Sequence, residues 1–459
     1  MSVERRVALL CVSPQVSQPD GFADAGSLDL FPSYGIRRVE AALASDPELT
    51  GTTVRLFERG APDIDAFVAE VSRFEPDVVG IATYVWSTAS MAEVARRIKR
   101  ERPETLIVFG GPSAHPCVFD LEPFAGRDYY DALLIGEAEE TFAELLHLPS
   151  FDRDALAAIP GVALPDGEQW RIARPRVPDP DMNHLPSPYI NGMMAPGRVA
   201  YLETFRGCPL SCRFCQWGVA DANRFLSADS IARELRSIRE SGALYTFLVD
   251  AALNLHPRAF RNLARAEEEV RWFRDSLLIC EIYPNQLTTE HLRFLENVAS
   301  IHAGVGVQSL DETALQAVTR PFKPERLAPT IEQLSRFGMV DVEIILGLPG
   351  DTPETFLRTL ETCLQLPCNV RVYRCLVLPN ALMTRSPAEY DIRFDPLTLM
   401  MTSCHTWPER ELRAMQERVS RLAEQSPCAM SGDYWWLFVP SIPAYRANYP
   451  LARGHPAGA

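Results

Sequence analysis

The chain has 459 residues, of which 47% are hydrophobic and 23% charged, and its 60 acidic and 45 basic residues give a net charge of −15. This length exceeds one ordinary hydrophobic core and predicts two domains, while the composition excludes a disordered chain. The acidic balance, without any block rich in lysine or arginine, argues against nucleic acid as a partner.

Hydropathy and cysteine content predict the compartment. No apolar run reaches the length of a membrane span, and the apolar stretch near the N-terminus is too short for a signal peptide. Eleven cysteines in a large chain without an export signal therefore predict a reducing, cytoplasmic location. Eight of them lie outside the motif described below. Most are expected to be small core residues, with a second cluster or a catalytic thiol left open: Cys11, Cys117, Cys280, Cys363, Cys368, Cys375, Cys404 and Cys428.

Residues 1–148 alternate short β-rich runs with helical patterns. The runs at 7–13, 53–57, 77–83, 106–109 and 132–135 predict buried parallel strands. Apolar residues recur at helical spacing between them, for example at Ile64, Phe67 and Val71. This alternation predicts an α/β domain with a doubly wound sheet, like that of flavodoxin or the Rossmann fold.

Such sheets bind ligands at the carboxyl ends of their strands. Distinctive loops follow three of the predicted strands: Tyr84-Val85-Trp86-Ser87, Gly110-Gly111-Pro112-Ser113 and Gly136-Glu137. Glycines without a Cβ permit a bulky ligand to approach the backbone. Gly-Gly-Pro is equally a good turn, and the two aromatic residues are equally compatible with a core. No Gly-x-Gly-x-x-Gly follows the first strand, so a dinucleotide fingerprint is absent.

A proline-rich segment, 149–197, shows little periodicity and predicts an ordered linker between domains. Strand–helix alternation resumes in 198–400, with predicted strands at 199–205, 245–249, 277–282, 302–307, 342–346 and 370–377. Six such units predict a partial (β/α)6 barrel, whose active residues would gather at the carboxyl ends of its strands.

The most informative motif follows the first strand of this second domain. Three residues separate Cys208 from Cys212, and two separate Cys212 from Cys215. A short loop with this spacing can bring three thiolates to three corners of a cubane iron–sulfur cluster, which leaves one iron without a local thiolate. A structural zinc site normally needs four protein ligands, and no second cysteine pair with the usual spacing is present.

This segment resembles the Cys-x3-Cys-x-aromatic-Cys motif of the radical S-adenosylmethionine (SAM) superfamily, with Phe214 at the aromatic position. Together with the preceding sheet, it resembles the cobalamin-binding radical SAM family as far as about residue 415. The resemblance implies a [4Fe-4S] cluster held by the three cysteines and SAM chelated at the fourth iron. It also implies cobalamin contacts at the end of the first strand and in the three loops: Ser13, Tyr84, Val85, Trp86, Ser87, Gly110, Gly111, Pro112, Gly136 and Glu137.

Two further expectations come from the resemblance. The Asp-x-His-x-x-Gly segment that ligates cobalt in some cobalamin proteins is missing, which implies base-off cobalamin without a histidine ligand. SAM contacts are implied for residues of the motif and of strand ends: Phe214, Gln216, Asp250, Glu281, Gln308 and Ser309. For Asp250, Glu281 and Gln308, a salt bridge or a turn hydrogen bond is an equal alternative.

The resemblance implies methyl transfer from SAM, via methylcobalamin, to an unactivated carbon or similarly poor nucleophile of a small metabolite or natural-product intermediate. It also implies a low-potential electron donor such as flavodoxin or ferredoxin. A ring-forming or rearranging radical SAM enzyme and a non-catalytic cobalamin-binding sensor are the alternatives. The extension 401–459 contains His405, Trp407 and Asp433-Tyr434-Trp435-Trp436, which either close over a substrate or pack in a core.

Overall fold

The computed structural model describes residues 4–13, 31–60, 63–219, 223–424 and 436–440. The chain divides into two compact units. The first contains the described residues up to Pro196 together with Pro396–Leu399, and the second contains those of Gly197–Asp395 and from Met400 onward.

The first unit is built on one seven-stranded sheet. Its strands are β1 (Arg5–Val12), β2 (Thr52–Arg59), β3 (Val78–Ala82), β4 (Leu106–Gly110), β5 (Ala132–Leu134), β6 (Val162–Asp166) and β7 (Gln169–Ile172). Its α-helices are α1 (Tyr34–Ser45), α2 (Ile64–Phe74), α3 (Thr88–Glu101), α4 (Pro116–Phe119), α5 (Glu139–His147) and α6 (Arg153–Ala158), with 3-10 turns at Pro47–Leu49 and Met182–His184. The strand order is β2-β1-β3-β4-β5-β6-β7, and the first five strands are parallel.

Burial explains why these elements form. Strands β3 and β4 are short apolar runs that are buried over nearly their whole length, as expected for a parallel sheet covered on both faces. Helix α2 turns Phe67, Val68 and Val71 into the core, and the Asp63 carboxylate caps its N-terminus by accepting from Ala66 N at 3.0 Å. The predicted doubly wound α/β sheet is confirmed.

The segment 149–197 differs from the predicted linker. Helix α6 and strands β6 and β7 lie within it, and the two strands extend the sheet in antiparallel order from β5. Val162, Ala163 and Leu164 are buried, and Gly167, with a φ of 59°, allows the tight turn between the strands. The proline content indicates a connector. The hairpin instead belongs to the first unit, and its apolar residues are part of the core of that unit.

The second unit is built on another seven-stranded sheet. Its strands are β8 (Val199–Leu202), β11 (Tyr245–Leu248), β12 (Leu277–Ile282), β13 (Ser300–Gln308), β14 (Gly338–Leu346), β15 (Asn369–Arg374) and β18 (Trp436–Pro440). Short two-stranded ribbons are formed by β9 (Phe205–Arg206) with β10 (Arg224–Phe225), and by β16 (Arg393–Phe394) with β17 (Met401–Ser403). The order β18-β15-β14-β13-β12-β11-β8 contains six parallel strands, and only β18 runs antiparallel to its neighbour.

Helices alternate with these strands. They are α7 (Ala228–Glu240), α8 (Pro257–Val270), α9 (Thr289–Leu295), α10 (Glu312–Ala317), α11 (Leu327–Leu334), α12 (Pro353–Leu364), α13 (Leu382–Arg385) and α14 (Glu409–Glu424). Single 3-10 turns lie at Trp217–Val219, Pro284–Gln286, Pro324–Arg326 and Ala388–Tyr390. Ser227 caps α7 through Ser230 N at 3.2 Å, as predicted from its position before the apolar pattern. The six parallel strands with intervening helices confirm the predicted partial barrel.

Trp407 of the C-terminal extension is fully buried, and its ring packs edge to face on Phe356 at 6.2 Å. It is therefore a core residue, which was one of the two alternatives for this segment. His405 stacks on Tyr390 with ring centroids 4.8 Å apart. Residues 433–435 lie outside the described residues. No helix in the described part of the chain has the length and apolar character of a membrane span.

Candidate functional site

The three cysteines of the motif line one open cavity of about 350 Å³ in the second unit. They lie in the loop that follows β8 and β9, at the carboxyl end of the parallel sheet. Other residues from the ends of the neighbouring strands complete the lining, among them Asp250, Glu281, Tyr283, Gly306, Gln308, Arg320 and Glu343. The cavity therefore occupies the position where barrels of this kind collect their active groups.

Hydrogen bonds to neighbouring elements position the cysteine loop. Cys215 N donates to Cys212 O at 3.2 Å and closes a turn between the last two cysteines. Arg213 N donates to Val318 O at 2.9 Å, and Thr319 Oγ1 donates to Ser211 O at 3.0 Å. The loop is thus tied to the segment that follows α10, more than a hundred residues further along the chain.

Two arginines contact the loop from distant parts of the sequence. Arg385, at the end of α13, donates from Nη2 to Cys212 O at 2.8 Å and also to Cys215 O. Arg320 contacts a sulfur instead, with Nη1 3.7 Å from Cys212 Sγ. One arginine therefore orients the loop backbone, and the other brings a positive charge to a thiol.

The electrostatics of the thiols match this arrangement. Burial raises the pKa of Cys208, and burial raises the pKa of Cys215 to about 11, while the Arg320 charge acts in the opposite direction on both. Metal binding requires the thiolate form, so a cation beside these sulfurs favours ligation. Within the described residues, no three His, Cys, Asp or Glu side chains converge on a single metal ion. A cubane does not require such convergence, because each thiolate binds a different iron. The loop therefore fits a three-cysteine cluster.

Asp250 follows β11 and is buried in the floor of the cavity. Its Oδ1 accepts from Thr204 N at 2.7 Å and from Phe205 N at 3.3 Å, and its Oδ2 bonds the Thr204 hydroxyl. Burial raises the pKa of Asp250 to about 7, against the opposing effect of these three donors. The carboxyl group thus supports the backbone that leads into the cysteine loop, and it also faces the cavity.

Glu281 on β12 and Glu343 on β14 form a carboxyl pair across β13, in which Glu343 is buried and Glu281 is half-buried. Burial and the adjacent Glu343 raise the pKa of Glu281 well above its usual value. Glu343 Oε1 accepts from Arg371 Nη1 at 3.1 Å and from the Tyr373 hydroxyl at 3.0 Å. Two carboxyl groups therefore lie side by side in the cavity lining, and the predicted residue Glu281 is only one of them.

The remaining predicted SAM contacts divide into two groups. Phe214 and Gln308 line the cavity with the cysteines, and Gln308 has a φ of 72°, in the left-handed region, where β13 bulges. Gln216 and Ser309 are not part of that lining. Gln216 Nε2 donates to Pro379 O at 2.9 Å, and the Ser309 hydroxyl accepts from Asp311 N at 3.1 Å. These two side chains have structural partners, and their SAM contacts stay predictions.

In the first unit, the predicted cobalamin residues follow β1, β3, β4 and β5 at one edge of the sheet. The Tyr84 and Trp86 rings stack at 4.5 Å, and Trp86 Nε1 donates to Val12 O at 2.9 Å. The Ser87 hydroxyl accepts from Tyr84 N at 3.1 Å and shapes the turn into α3. Ser13 Oγ donates to Glu58 at 2.8 Å.

The open space beside Gly136 fits the approach of a large ligand, whereas Gly111 is required by the backbone itself. Gly111 has a φ of 93°, and a Cβ there would lie 2.7 Å from Thr83 O, so only glycine suits this backbone. Gly110 is the last residue of β4, and Gly111 and Pro112 follow it in the loop. Gly136, with a φ of 90°, has open space where a Cβ would be, and Glu137 follows it. At this edge of the sheet, the turn after β5 therefore has free space beside Gly136, whereas the loop after β4 packs directly against the backbone of Thr83.

Comparisons with known proteins agree with both units. Residues 30–146 match the family model described as a B12 binding domain, and residues 202–363 match the model described as the radical SAM superfamily. With both domains present in this order, the chain belongs to the cobalamin-binding radical SAM family, as the sequence predicts.

Particular relatives are described as methyltransferases. One is the 2-(S-pantetheinyl)-carbapenam-3-carboxylate methyltransferase of Streptantibioticus cattleyicolor, 30% identical over 79% of this chain and 55% of that protein. Another is the cobalamin-dependent radical SAM methyltransferase TokK of Streptomyces tokunonensis, 29% identical over 67% of this chain and 48% of that protein. The chain spans about half the length of these relatives.

A solved structure shows the same fold. It is the radical SAM methyltransferase TsrM from Kitasatospora setae, with a TM-score of 0.66 and 19% identity over 91% of this chain and 88% of that one. Among the cavity residues that were not predicted from the sequence are three with polar side chains, namely Arg320, Glu343 and Tyr283. Tyr283 directly follows β12, where the strand-end rule applies, whereas Arg320 and Glu343 have no informative local signal.

Proposed function

We propose that this protein is a cobalamin-dependent radical SAM methyltransferase. It would transfer a methyl group from SAM to an unactivated carbon, or a similarly poor nucleophile, of a small metabolite or natural-product intermediate. The observation that carries the proposal is the cavity lined by three motif cysteines at the carboxyl ends of six parallel strands, in a chain whose other unit matches a B12 binding domain. The two methyltransferase relatives support this choice of reaction.

The proposed roles follow from side-chain chemistry. Cys208, Cys212 and Cys215 would hold the [4Fe-4S] cluster, and Phe214, Asp250, Glu281 and Gln308 would surround SAM. When bound, the cluster with SAM supplies a radical that removes hydrogen from carbon, and cobalamin supplies a methyl carrier. The chain orients these groups: Asp250 holds the entry to the cysteine loop, and the Glu281–Glu343 pair places two carboxyl groups in the cavity lining.

Cobalamin held base-off, without a histidine ligand, is part of the proposal. No histidine occurs in 11–15, in 83–87 or in 135–138, the segments that follow β1, β3 and β5. His115 follows β4, where its Nδ1 accepts from Cys117 N at 3.3 Å and lies 2.9 Å from Cys117 Sγ. That nitrogen is engaged within the protein, so Nε2 is the nitrogen of His115 whose role the H115A variant tests.

A low-potential one-electron donor, such as flavodoxin or ferredoxin, and a reducing cytoplasmic location complete the proposal. Ten cysteines among the described residues are free thiols, which is typical of a reducing compartment. The cluster would need such a compartment and such a donor to reach its reduced form.

The test uses anaerobically reconstituted protein with cobalamin, a low-potential reductant and SAM that carries a deuterated methyl group. Mass spectrometry that finds S-adenosylhomocysteine and a labelled methyl group on the cobalamin supports methyl transfer. Deoxyadenosine with unlabelled cobalamin favours a ring-forming or rearranging enzyme, and neither product favours a sensor. The C212A variant should abolish deoxyadenosine, whereas C280A, which alters a buried core cysteine of β12, should retain it.

A further inference from the structure

Arg320 lies between α10 and the turn at Pro324–Arg326, and its guanidinium group reaches the cavity of the motif cysteines. Its Nη1 is 3.7 Å from Cys212 Sγ, and its Nη2 donates to Gly306 O on β13. The guanidinium carbon lies 5.0 Å from the ring centroid of Tyr283. Contacts with the cysteine loop, with β13 and with the residue after β12 therefore orient the positive charge toward one sulfur.

An N–H group that points at a cluster thiolate withdraws electron density from it, and hydrogen bonds to sulfur are among the factors that set cluster potentials. Reduction adds a negative charge to the cluster, so a nearby cation stabilises the reduced form and raises the reduction potential. The Nε of Arg320 is also buried, without a hydrogen-bond partner in the described part of the chain.

We propose that Arg320 is a positioning residue that raises the reduction potential of the [4Fe-4S] cluster through its contact with the Cys212 sulfur. This inference rests on the proposed function, because it requires that the three cysteines hold the cluster. It does not require SAM, so the effect is present in protein that contains the cluster alone.

Arg385 provides a matched control. It carries the same charge and contacts the same loop, but its Nη2 bonds the carbonyl oxygens of Cys212 and Cys215 instead of a sulfur. Removal of either arginine deletes one positive charge and one set of loop contacts. A specific effect through the sulfur therefore distinguishes Arg320 from Arg385.

The experiment is a redox titration of the reconstituted cluster without SAM, followed by electron paramagnetic resonance of the reduced form. Iron and sulfide analysis establishes equal cluster content in wild type, R320M and R385M. At the wild-type midpoint, we expect the ratio of reduced to oxidised cluster to fall about tenfold in R320M, which equals about 59 mV for one electron. In R385M we expect a fall of less than threefold.

An unchanged ratio in R320M, or an equal fall in R385M, overturns the inference. If R320M does not retain the cluster, R320K and R320Q are compared. A ratio near wild type in R320K with a tenfold fall in R320Q supports the inference, and equal ratios in the two variants overturn it. A wild-type protein that binds no cluster refutes the proposed function itself, which separates that failure from a failure of the role of Arg320.

Discussion

Replacing Asp250 with asparagine tests whether this buried carboxyl group is protonated in the folded protein. Its Oδ1 accepts two backbone N–H groups, at 2.7 and 3.3 Å, and its Oδ2 faces the Thr204 hydroxyl, which can also act as an acceptor. An asparagine amide can keep Oδ1 in place and donate to that hydroxyl from Nδ2. D250N therefore imitates the protonated acid, whereas D250A leaves two buried donors without an acceptor.

The magnitude follows from the pKa of Asp250, which burial raises from an ordinary 3.8 to about 7. Between these pH values, the folded protein holds a proton that the unfolded chain has released. The free energy of unfolding therefore decreases as the pH rises through this range, by about 1.4 kcal/mol for each pH unit and about 4 kcal/mol in all. The amide of D250N does not titrate and avoids this loss.

The assay is urea unfolding of wild type and D250N at pH 5, 6 and 7, followed by circular dichroism. We expect D250N to gain about 2 kcal/mol relative to wild type between pH 5 and pH 7, because the slope halves as the pH reaches the folded pKa. D275N, at an exposed aspartate, controls for the loss of a surface carboxylate. A difference between D250N and wild type that does not vary with pH would refute the reasoning. It would mean that the three donors keep Asp250 ionised despite its burial.

Three further predictions concern other parts of the structure. G111A should destabilise the first unit by about 1–3 kcal/mol and weaken cobalamin binding, because alanine is strained at a φ of 93°. Urea unfolding and cobalamin titration measure the two effects, and both should be smaller in G110A. The electron paramagnetic resonance spectrum of cobalt(II) cobalamin should show no nitrogen coupling in wild type, and H115A should not change it. Nitrogen coupling in wild type that disappears in H115A would contradict the base-off proposal. D341N should cost about 3–5 kcal/mol at neutral pH, because the buried Asp341 carboxylate contacts Arg371 Nη2 at 2.6 Å and His302 Nε2 at 2.7 Å. Urea unfolding should show no such loss for E354Q, at the surface.

Strands, helices and loop motifs can be predicted from the sequence when the pattern that defines them lies within one short segment. The five parallel strands of the first unit and the six of the second are apolar runs at regular intervals, so periodicity suffices to find them. The spacing of Cys208, Cys212 and Cys215 depends on one loop and is equally local. The hairpin at 162–172 was missed because its strands are short and the segment is rich in proline, which hides a pattern of only three buried residues.

The site residues that could not be predicted depend on contacts between parts of the chain that are distant in sequence. Arg385 bonds carbonyl groups 170 and 173 positions away, and Arg320 reaches a sulfur 108 positions away. Neither residue type is unusual, and only the fold brings them to the loop. Glu343 was missed for the same reason: its side chain is notable only because β13 brings it beside Glu281, the residue that the strand-end rule predicted.

The sheet of the second unit has two ends, at β8 and at the antiparallel strand β18. In a closed eight-stranded barrel, inward-pointing side chains meet across the centre and fill it completely. An arc of six parallel strands has no opposite wall for those side chains to contact. Gly304 and Gly306 on β13 reduce the filling further, and the polar groups of Glu281 and Glu343 line what remains. The reactants of this protein would therefore occupy the volume that a closed barrel gives to its own hydrophobic core.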